Sequence, residues 1–168
     1  MRKTSLDVKK MVTISALISV AMILSYVESM IPAFVAVPGV KMGLSNIATL
    51  FALYTLGWQY AICVSVVRIL LSALLFGNIF AMIYSVAGAT VALLVMILLK
   101  KANSFSTIGV SVAGGVGHNA GQIIAACIIM KTSAISLYFI PLVISGTIAG
   151  VLIGIVSGIL VERIKKYI

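Results

Sequence analysis

Arg68 and His118 are the residues most able to support chemistry, because each lies inside a long apolar segment of the chain. Arg68 lies in the stretch 59–76 and His118 in 107–130, where Asn119 is adjacent and Gln122 follows one helical turn later on the same face. A guanidinium within a membrane is costly unless it is paired or faces a polar cavity, and it binds carboxylates and other anions well. These residues predict a site for a polar or anionic small molecule.

Other polar residues are expected near the same, outer end of the molecule: Asn46, Asn78, Tyr84, Glu28 and Lys41. Each also has a structural explanation. Arg68 can be neutralised by Glu28 or can cap backbone carbonyls, and the polar side chains of 107–130 can form interhelical hydrogen bonds worth about 0.6–2 kcal/mol each. Taken individually, Glu28 and Lys41 are expected to be solvated charges near the membrane interface. Both interpretations stay open at this point.

Catalysis has little support in the sequence. The chain has only three acids, Asp7, Glu28 and Glu162, so the clustered carboxylates that hold Mg²⁺ against a diphosphate are missing. The two cysteines, Cys63 and Cys127, show no metal-ligand spacing and are expected to be packing residues. We therefore predict no enzyme activity, no metal and no cofactor.

The elements that must position these residues are membrane-spanning helices. Hydrophobic residues make up 62% of the chain and charged residues 9%, with a mean hydropathy of +1.28. That leaves too little polar surface to coat a soluble domain. Segments of about 20 apolar residues span a bilayer. We predict an all-α integral membrane protein, one domain over 1–168, with six spans at about 11–30, 44–57, 59–76, 79–99, 107–130 and 139–161. The second is short for a span.

The basic residues predict the orientation. Six spans place both termini on one side, and nine basic residues fall there: Arg2, Lys3, Lys9, Lys10, Lys100, Lys101, Arg163, Lys165 and Lys166. Only Lys41 and Lys131 fall on the opposite side, so both termini are predicted to be cytoplasmic. The net charge of +9 reflects this topology and attraction to membrane lipid, and no nucleic-acid partner is expected.

The segment 31–43 joins the first two spans and is unusually apolar for a loop. Pro32, Pro38, Gly39 and Gly43 prevent one continuous helix through it. An exposed loop has no reason to be so hydrophobic. We therefore expect it to fold back over the outer mouth of the bundle as a cap.

Small residues recur every four positions on the last two spans. They are Gly146, Gly150, Gly154 and Gly158 in the sixth, and Ala113, Gly117, Gly121 and Ala125 in the fifth. Such ridges let helix backbones approach closely, either inside the bundle or against another membrane protein. The glycines of the sixth span, together with a shorter face at Ser15 and Ser19 in the first, are therefore candidate docking residues.

Three stretches carry a family resemblance: GVKMGLSNIATLFALY at 39–54, VRILLSALLFG at 67–77 and GVSVAGGVGHNAGQ at 109–122. They resemble the Gx transporter family, also labelled heptaprenyl diphosphate synthase component I, and the likeness runs from about Ser15 to the end of the sixth span. That family is similar to the substrate-binding S components of energy-coupling factor (ECF) transporters. Those are six-helix bundles whose outward pocket is capped by the first loop.

The resemblance implies a bacterial cytoplasmic membrane protein with a transmembrane coupling subunit and two cytoplasmic ATPases as partners, docked through small residues on the first helix. The leading hypothesis is a subunit that captures a small vitamin-like, anionic or amphiphilic metabolite for uptake. The alternative is a noncatalytic membrane subunit of a prenyl diphosphate or quinone synthesis, or a membrane electron-transfer, assembly.

Overall fold

Six α-helices make up the described part of the protein. The computed structural model describes residues 2–30 and 43–164, with side chains from Val8 onward, so Lys41 and the predicted cap at 31–42 lie outside the described residues. The helices are α1 (Arg2–Met30), α2 (Asn46–Thr55), α3 (Trp58–Phe76), α4 (Ile79–Ala102), α5 (Thr107–Met130) and α6 (Phe139–Ile164), with a short 3₁₀ turn at Ala134–Tyr138 before α6. The described residues contain no strand.

Five of the helices are long and apolar enough to cross a membrane, namely α1, α3, α4, α5 and α6 with the turn before it. Their outward faces carry large exposed apolar side chains, such as Leu74 at 81% and Ile128 at 70%. In water such a surface would cause aggregation, but in a bilayer it contacts lipid tails. The prediction of an all-α, multi-pass membrane protein is confirmed.

Helix α2 is shorter than the predicted span 44–57. Its ten residues cover about 15 Å, half of the roughly 30 Å hydrocarbon core. The helix ends before Gly57, whose φ of 105° is a conformation that residues with a side chain rarely adopt. The Gly57 N–H donates a hydrogen bond to Ala52 O at 3.0 Å, which satisfies a carbonyl of the last turn. At this end Lys100 of α4 donates from Nζ to Leu53 O at 2.5 Å.

Glycines bring α4, α5 and α6 into backbone contact. A Cβ atom on Gly115 of α5 would lie 2.6 Å from Gly146 O of α6, and one on Gly121 would lie 2.6 Å from Ala87 O of α4. Gly117 likewise faces α4, where a Cβ would meet Val91 and Val95. Helix α5 therefore has two small-residue faces, and the ridge predicted from Gly117 and Gly121 packs on α4, while α6 packs on a different face.

Candidate functional site

Arg68 is buried inside the bundle. Only 4% of its surface is exposed, and it shares the inner face of α3 with Ser65 and Ser72, one turn to either side. Ser72 Oγ donates to Met22 Sδ of α1 at 3.5 Å, which shows that this face of α3 turns toward α1. Nε and Nη2 of Arg68 have no hydrogen-bond partner among the described residues. A buried guanidinium with free donors is suited to binding an acceptor-rich group.

His118 of α5 is enclosed by glycines from two other elements. A Cβ atom on Gly88 of α4 would lie 3.0 Å from His118 Cε1 and 2.8 Å from its backbone oxygen. A Cβ on Gly43, just before α2, would lie 3.4 Å from His118 Cδ2. The imidazole thus occupies space that a side chain at position 43 or 88 would fill. Its Nδ1 atom has no hydrogen-bond partner within the described ranges.

Asn119 and Gln122 are fully buried beside His118. Asn119 Nδ2 donates to Leu142 O of α6 at 2.6 Å, which is the interhelical bond that the structural interpretation allows. However, Asn119 Oδ1 and both polar atoms of Gln122 lack partners in the part of the chain that the structure describes. Of the four polar side-chain atoms of Asn119 and Gln122, only Asn119 Nδ2 thus forms a hydrogen bond to another helix.

Glu28 is buried with 6% of its surface exposed, so the expectation of a solvated interface charge is wrong. Its Oε1 atom accepts a hydrogen bond from Gly43 N–H and a longer one, 3.4 Å, from Leu44 N–H. Free N–H groups at the start of a helix attract a carboxylate, and here they come from the turn that opens α2. Glu28 therefore fixes the start of α2, where Asn46 is buried with its Nδ2 atom 2.9 Å from the Cβ position of Gly43.

Sequence reasoning missed three buried hydroxyls, those of Ser25, Ser45 and Thr49. At most 1% of each residue is exposed, and no hydrogen-bond partner for them occurs within 2–30 and 43–164. The spacing in the sequence could have indicated two of them. Ser25 precedes Glu28 by three residues and Thr49 follows Asn46 by three, so each pair lies on one helical face. We call Ser25, Glu28, Ser45, Asn46, Thr49, Arg68, His118, Asn119 and Gln122 the polar cluster.

Two further predicted site residues, Asn78 and Tyr84, make other contacts. Asn78 is exposed and caps α4, because its Oδ1 accepts from Ala81 N–H at 2.8 Å. Tyr84 is buried in an apolar group with Ile123 and Leu142. These positions give both residues a structural explanation.

The candidate docking residues fall into two groups. Gly150 and Gly154 of α6 are buried against α5, where a Cβ atom would lie 2.6 Å from Val112 Cα and 2.7 Å from Ile108 Cα, and Gly146 meets Gly115 in the same interface. That placement favours an internal role for these three glycines. A Cβ on Gly158 would have no neighbour within 4 Å. Ser15 and Ser19 are exposed on α1, with Ser19 Oγ donating to Ser15 O at 3.0 Å.

The polar cluster offers one guanidinium, one imidazole, amides and hydroxyls, with Glu28 engaged by backbone N–H groups. No three His, Cys, Asp or Glu side chains among the described residues are grouped to hold a metal ion. Such a set is suited to a ligand that forms hydrogen bonds and carries a negative charge.

The family model described as heptaprenyl diphosphate synthase component I matches residues 17–160, a range that includes the whole polar cluster. No curated protein matches the chain, and neither does any solved structure. Since the match covers most of the 168 residues, the chain belongs to the heptaprenyl diphosphate synthase component I family.

Proposed function

We propose that the protein is the substrate-binding membrane subunit of an ECF-type transporter, and that it captures a small anionic or amphiphilic metabolite at the polar cluster. The positive-inside rule puts the Glu28 end of the bundle outside the cell, so capture takes place from the outer face of the cytoplasmic membrane. The ligand's acidic part binds Arg68, and the apolar helices supply the remaining walls.

The observation that carries this proposal is the group of buried polar atoms without partners in the described chain. Leaving one such atom unpaired costs about 1–3 kcal/mol, and more for a charged group. Arg68, His118, Gln122 and Asn119 together would be a heavy cost in a structure stabilised mainly by packing. Unpaired buried polar atoms occur in sites that bind polar ligands, because the bound ligand supplies the missing hydrogen bonds.

The chain has no Gly-rich nucleotide-binding loop of the Walker type, so energy for transport would come from a partner protein or from a gradient. We propose a transmembrane coupling subunit with cytoplasmic ATPases as that partner. Exposed small residues support a docking face on α1, where Ser15 and Ser19 lie one turn apart on the surface. Small residues let a second membrane helix approach closely.

The family description names a component of a synthase. With three acids in the whole chain, we propose that this protein performs no catalysis itself.

The test is native mass spectrometry of the gently extracted protein, comparing wild type with Arg68→Ala. Loss of a charge-assisted hydrogen bond costs about 1.5–3 kcal/mol, so the fraction of protein carrying a co-purified small molecule should fall roughly 10- to 100-fold. Arg163→Ala is the matched control, because Arg163 is exposed at the far end of α6. It should retain the bound molecule in full.

Thermal unfolding of both variants separates binding from folding. If Arg68 serves binding, Arg68→Ala unfolds no earlier than wild type once bound small molecules are removed, since it removes a buried guanidinium whose Nε and Nη2 atoms have no hydrogen-bond partner among the described residues. A wild-type protein without a bound small molecule, or an Arg68→Ala variant that binds normally, would contradict the proposal.

A further inference from the structure

We propose that the hydroxyls of Ser25, Ser45 and Thr49 bind the ligand, and that they select a head group with one anionic group beside an uncharged hydrogen-bonding group. This inference rests on the proposed function and specifies its ligand. The hydroxyls form an uncharged wall on α1 and α2, whereas Arg68 lies on α3 and His118 on α5.

These three hydroxyls differ from others in the same protein. Serine and threonine in helices usually donate to the carbonyl one turn earlier. Thr55, Thr90 and Ser19 do so, at 2.8, 2.8 and 3.0 Å. The hydroxyls of Ser25 in α1 and Thr49 in α2 make no such bond within the described residues, and that of Ser45, which directly precedes α2, caps no backbone N–H there, although all three residues are almost completely buried. Their hydrogen-bonding capacity is therefore unused among the described residues, in a place that water reaches poorly.

Helical spacing places the three hydroxyls beside the rest of the polar cluster. Ser45 and Thr49 lie one turn apart and flank Asn46. Asn46 adjoins Gly43, and Gly43 adjoins the His118 ring. Ser25 lies one turn before Glu28, whose carboxylate accepts from Gly43 N–H. All three hydroxyls thus lie within about one helical turn of the junction between α1, α2 and α5.

The available groups define the chemistry of the ligand. Arg68 is the only buried Lys or Arg among the described residues, and the one buried carboxylate there, Glu28, accepts from the backbone N–H groups of Gly43 and Leu44. The Nε and Nη2 donors of Arg68 therefore suit one carboxylate-like group of a ligand. A diphosphate carries more negative charge and is usually held with Mg²⁺ by carboxylates. Asn119 Oδ1 and Gln122 Oε1 can only accept, so an ionised acid alone cannot satisfy them. The ligand class is an organic acid with a hydroxyl or amide group, and without a diphosphate.

The experiment compares Thr49→Val with Thr90→Val. Both changes remove a threonine hydroxyl at nearly constant shape, but Thr90 is exposed and already bonded to Val86 O. The probe is the compound released by organic solvent from the purified wild-type protein, quantified per mole of protein by liquid chromatography and mass spectrometry. Occupancy should fall roughly three- to tenfold in Thr49→Val and stay unchanged in Thr90→Val. Ser45→Ala should behave like Thr49→Val.

Thermal unfolding after the compound is stripped provides the second readout. Since Thr49→Val removes an unpaired buried hydroxyl, its melting temperature should equal or exceed that of wild type. Normal occupancy together with a lowered melting temperature would make the hydroxyl structural and overturn this inference alone. A released compound that contains a diphosphate would overturn the ligand class. If wild type releases no compound, the proposed function itself fails.

Discussion

The two halves of the bundle differ in what fills the space between their helices. In α4–α6, the glycine-packed half, backbone meets backbone, as at Gly115 and Gly146. In α1–α3, the side-chain-packed half, side chains fill the gaps, and the seam between α3 and α4 contains a groove of about 340 Å³ lined by residues such as Ile62, Ile69 and Leu93. The polar cluster draws on both halves.

This difference explains how the polar groups are held. His118, Asn119 and Gln122 come from the glycine-packed half, where close backbone contact leaves helices little freedom to shift. Arg68 and the hydroxyls of Ser25, Ser45 and Thr49 come from the other half, whose contact with α4 is looser. Close backbone contact thus positions one wall of the polar cluster, whereas α3, which carries Arg68, meets α4 across a groove. Three substitutions, each paired with a control variant, test this comparison.

The largest effect on stability is expected for Gly150→Ala. The new Cβ atom would lie 2.6 Å from Val112 Cα, so α5 and α6 must separate. The free energy of unfolding should fall by about 1–3 kcal/mol, as for other overpacked cores. Gly158→Ala is the control, since nothing lies within 4 Å of its Cβ position. Equal melting temperatures for the two variants in detergent would show that α6 is not held by close glycine contact.

Gly88→Ala should affect binding more than stability. Its Cβ atom would lie 2.8 Å from His118 O and 2.9 Å from Gln122 Cγ, which displaces both residues from the polar cluster. We expect a loss of about 1 kcal/mol in stability from overpacking, and a roughly tenfold loss of ligand occupancy, equivalent to 1.4 kcal/mol of binding free energy.

Gly117→Ala provides the comparison for Gly88→Ala, because it lies in the same interface between α4 and α5. Its Cβ would make ordinary contacts at 3.5 Å with Val91 and Val95. Both stability and occupancy, measured by thermal unfolding and native mass spectrometry, should stay near wild type. An equal loss of occupancy in both variants would mean that general disturbance of α5, rather than displacement of His118 and Gln122, weakens binding.

The smallest effect is expected for Asn78→Ala at the start of α4. It removes the acceptor for Ala81 N–H and should cost about 0.5–1 kcal/mol of unfolding free energy, as at other helix caps. Occupancy should not change, because Asn78 is exposed and outside the polar cluster. Asn78→Asp keeps the acceptor and should restore stability. A loss of bound compound in Asn78→Ala would return this residue to the binding set.

The fold could largely be predicted from the sequence, because length and hydropathy determine which segments cross a membrane. The predicted span 59–76 agrees with α3, Trp58–Phe76, within one residue. The prediction was weakest at α2, whose end depends on the backbone conformation of Gly57. Hydropathy also does not predict which neighbouring helix a row of glycines contacts. The structure shows that Gly117 and Gly121 contact α4.

The site was predictable only where a residue type is costly in a membrane. Arg68, His118 and Gln122 stand out for that reason, and all three are buried. The hydroxyls of Ser45 and Thr49 do not stand out, because most such groups in helices bond to their own backbone, and only coordinates reveal which do not. The sequence predicts a solvated Glu28, because it does not show that the backbone N–H groups of Gly43 and Leu44, 15 and 16 residues further along the chain, donate to its carboxylate.

The short helix α2 has a counter-charge at each end. The carboxylate of Glu28, from α1, faces the N–H groups of its opening turn, and the ammonium of Lys100, from α4, reaches a carbonyl of its last turn. The two charges oppose the helix macrodipole, so the partial charges at both ends of α2 are compensated inside the bundle. A shift of α2 along its own axis, relative to α1 and α4, would separate one of the two pairs. Electrostatics therefore fixes the position of α2 between these helices, and with it the positions of Asn46 and Thr49.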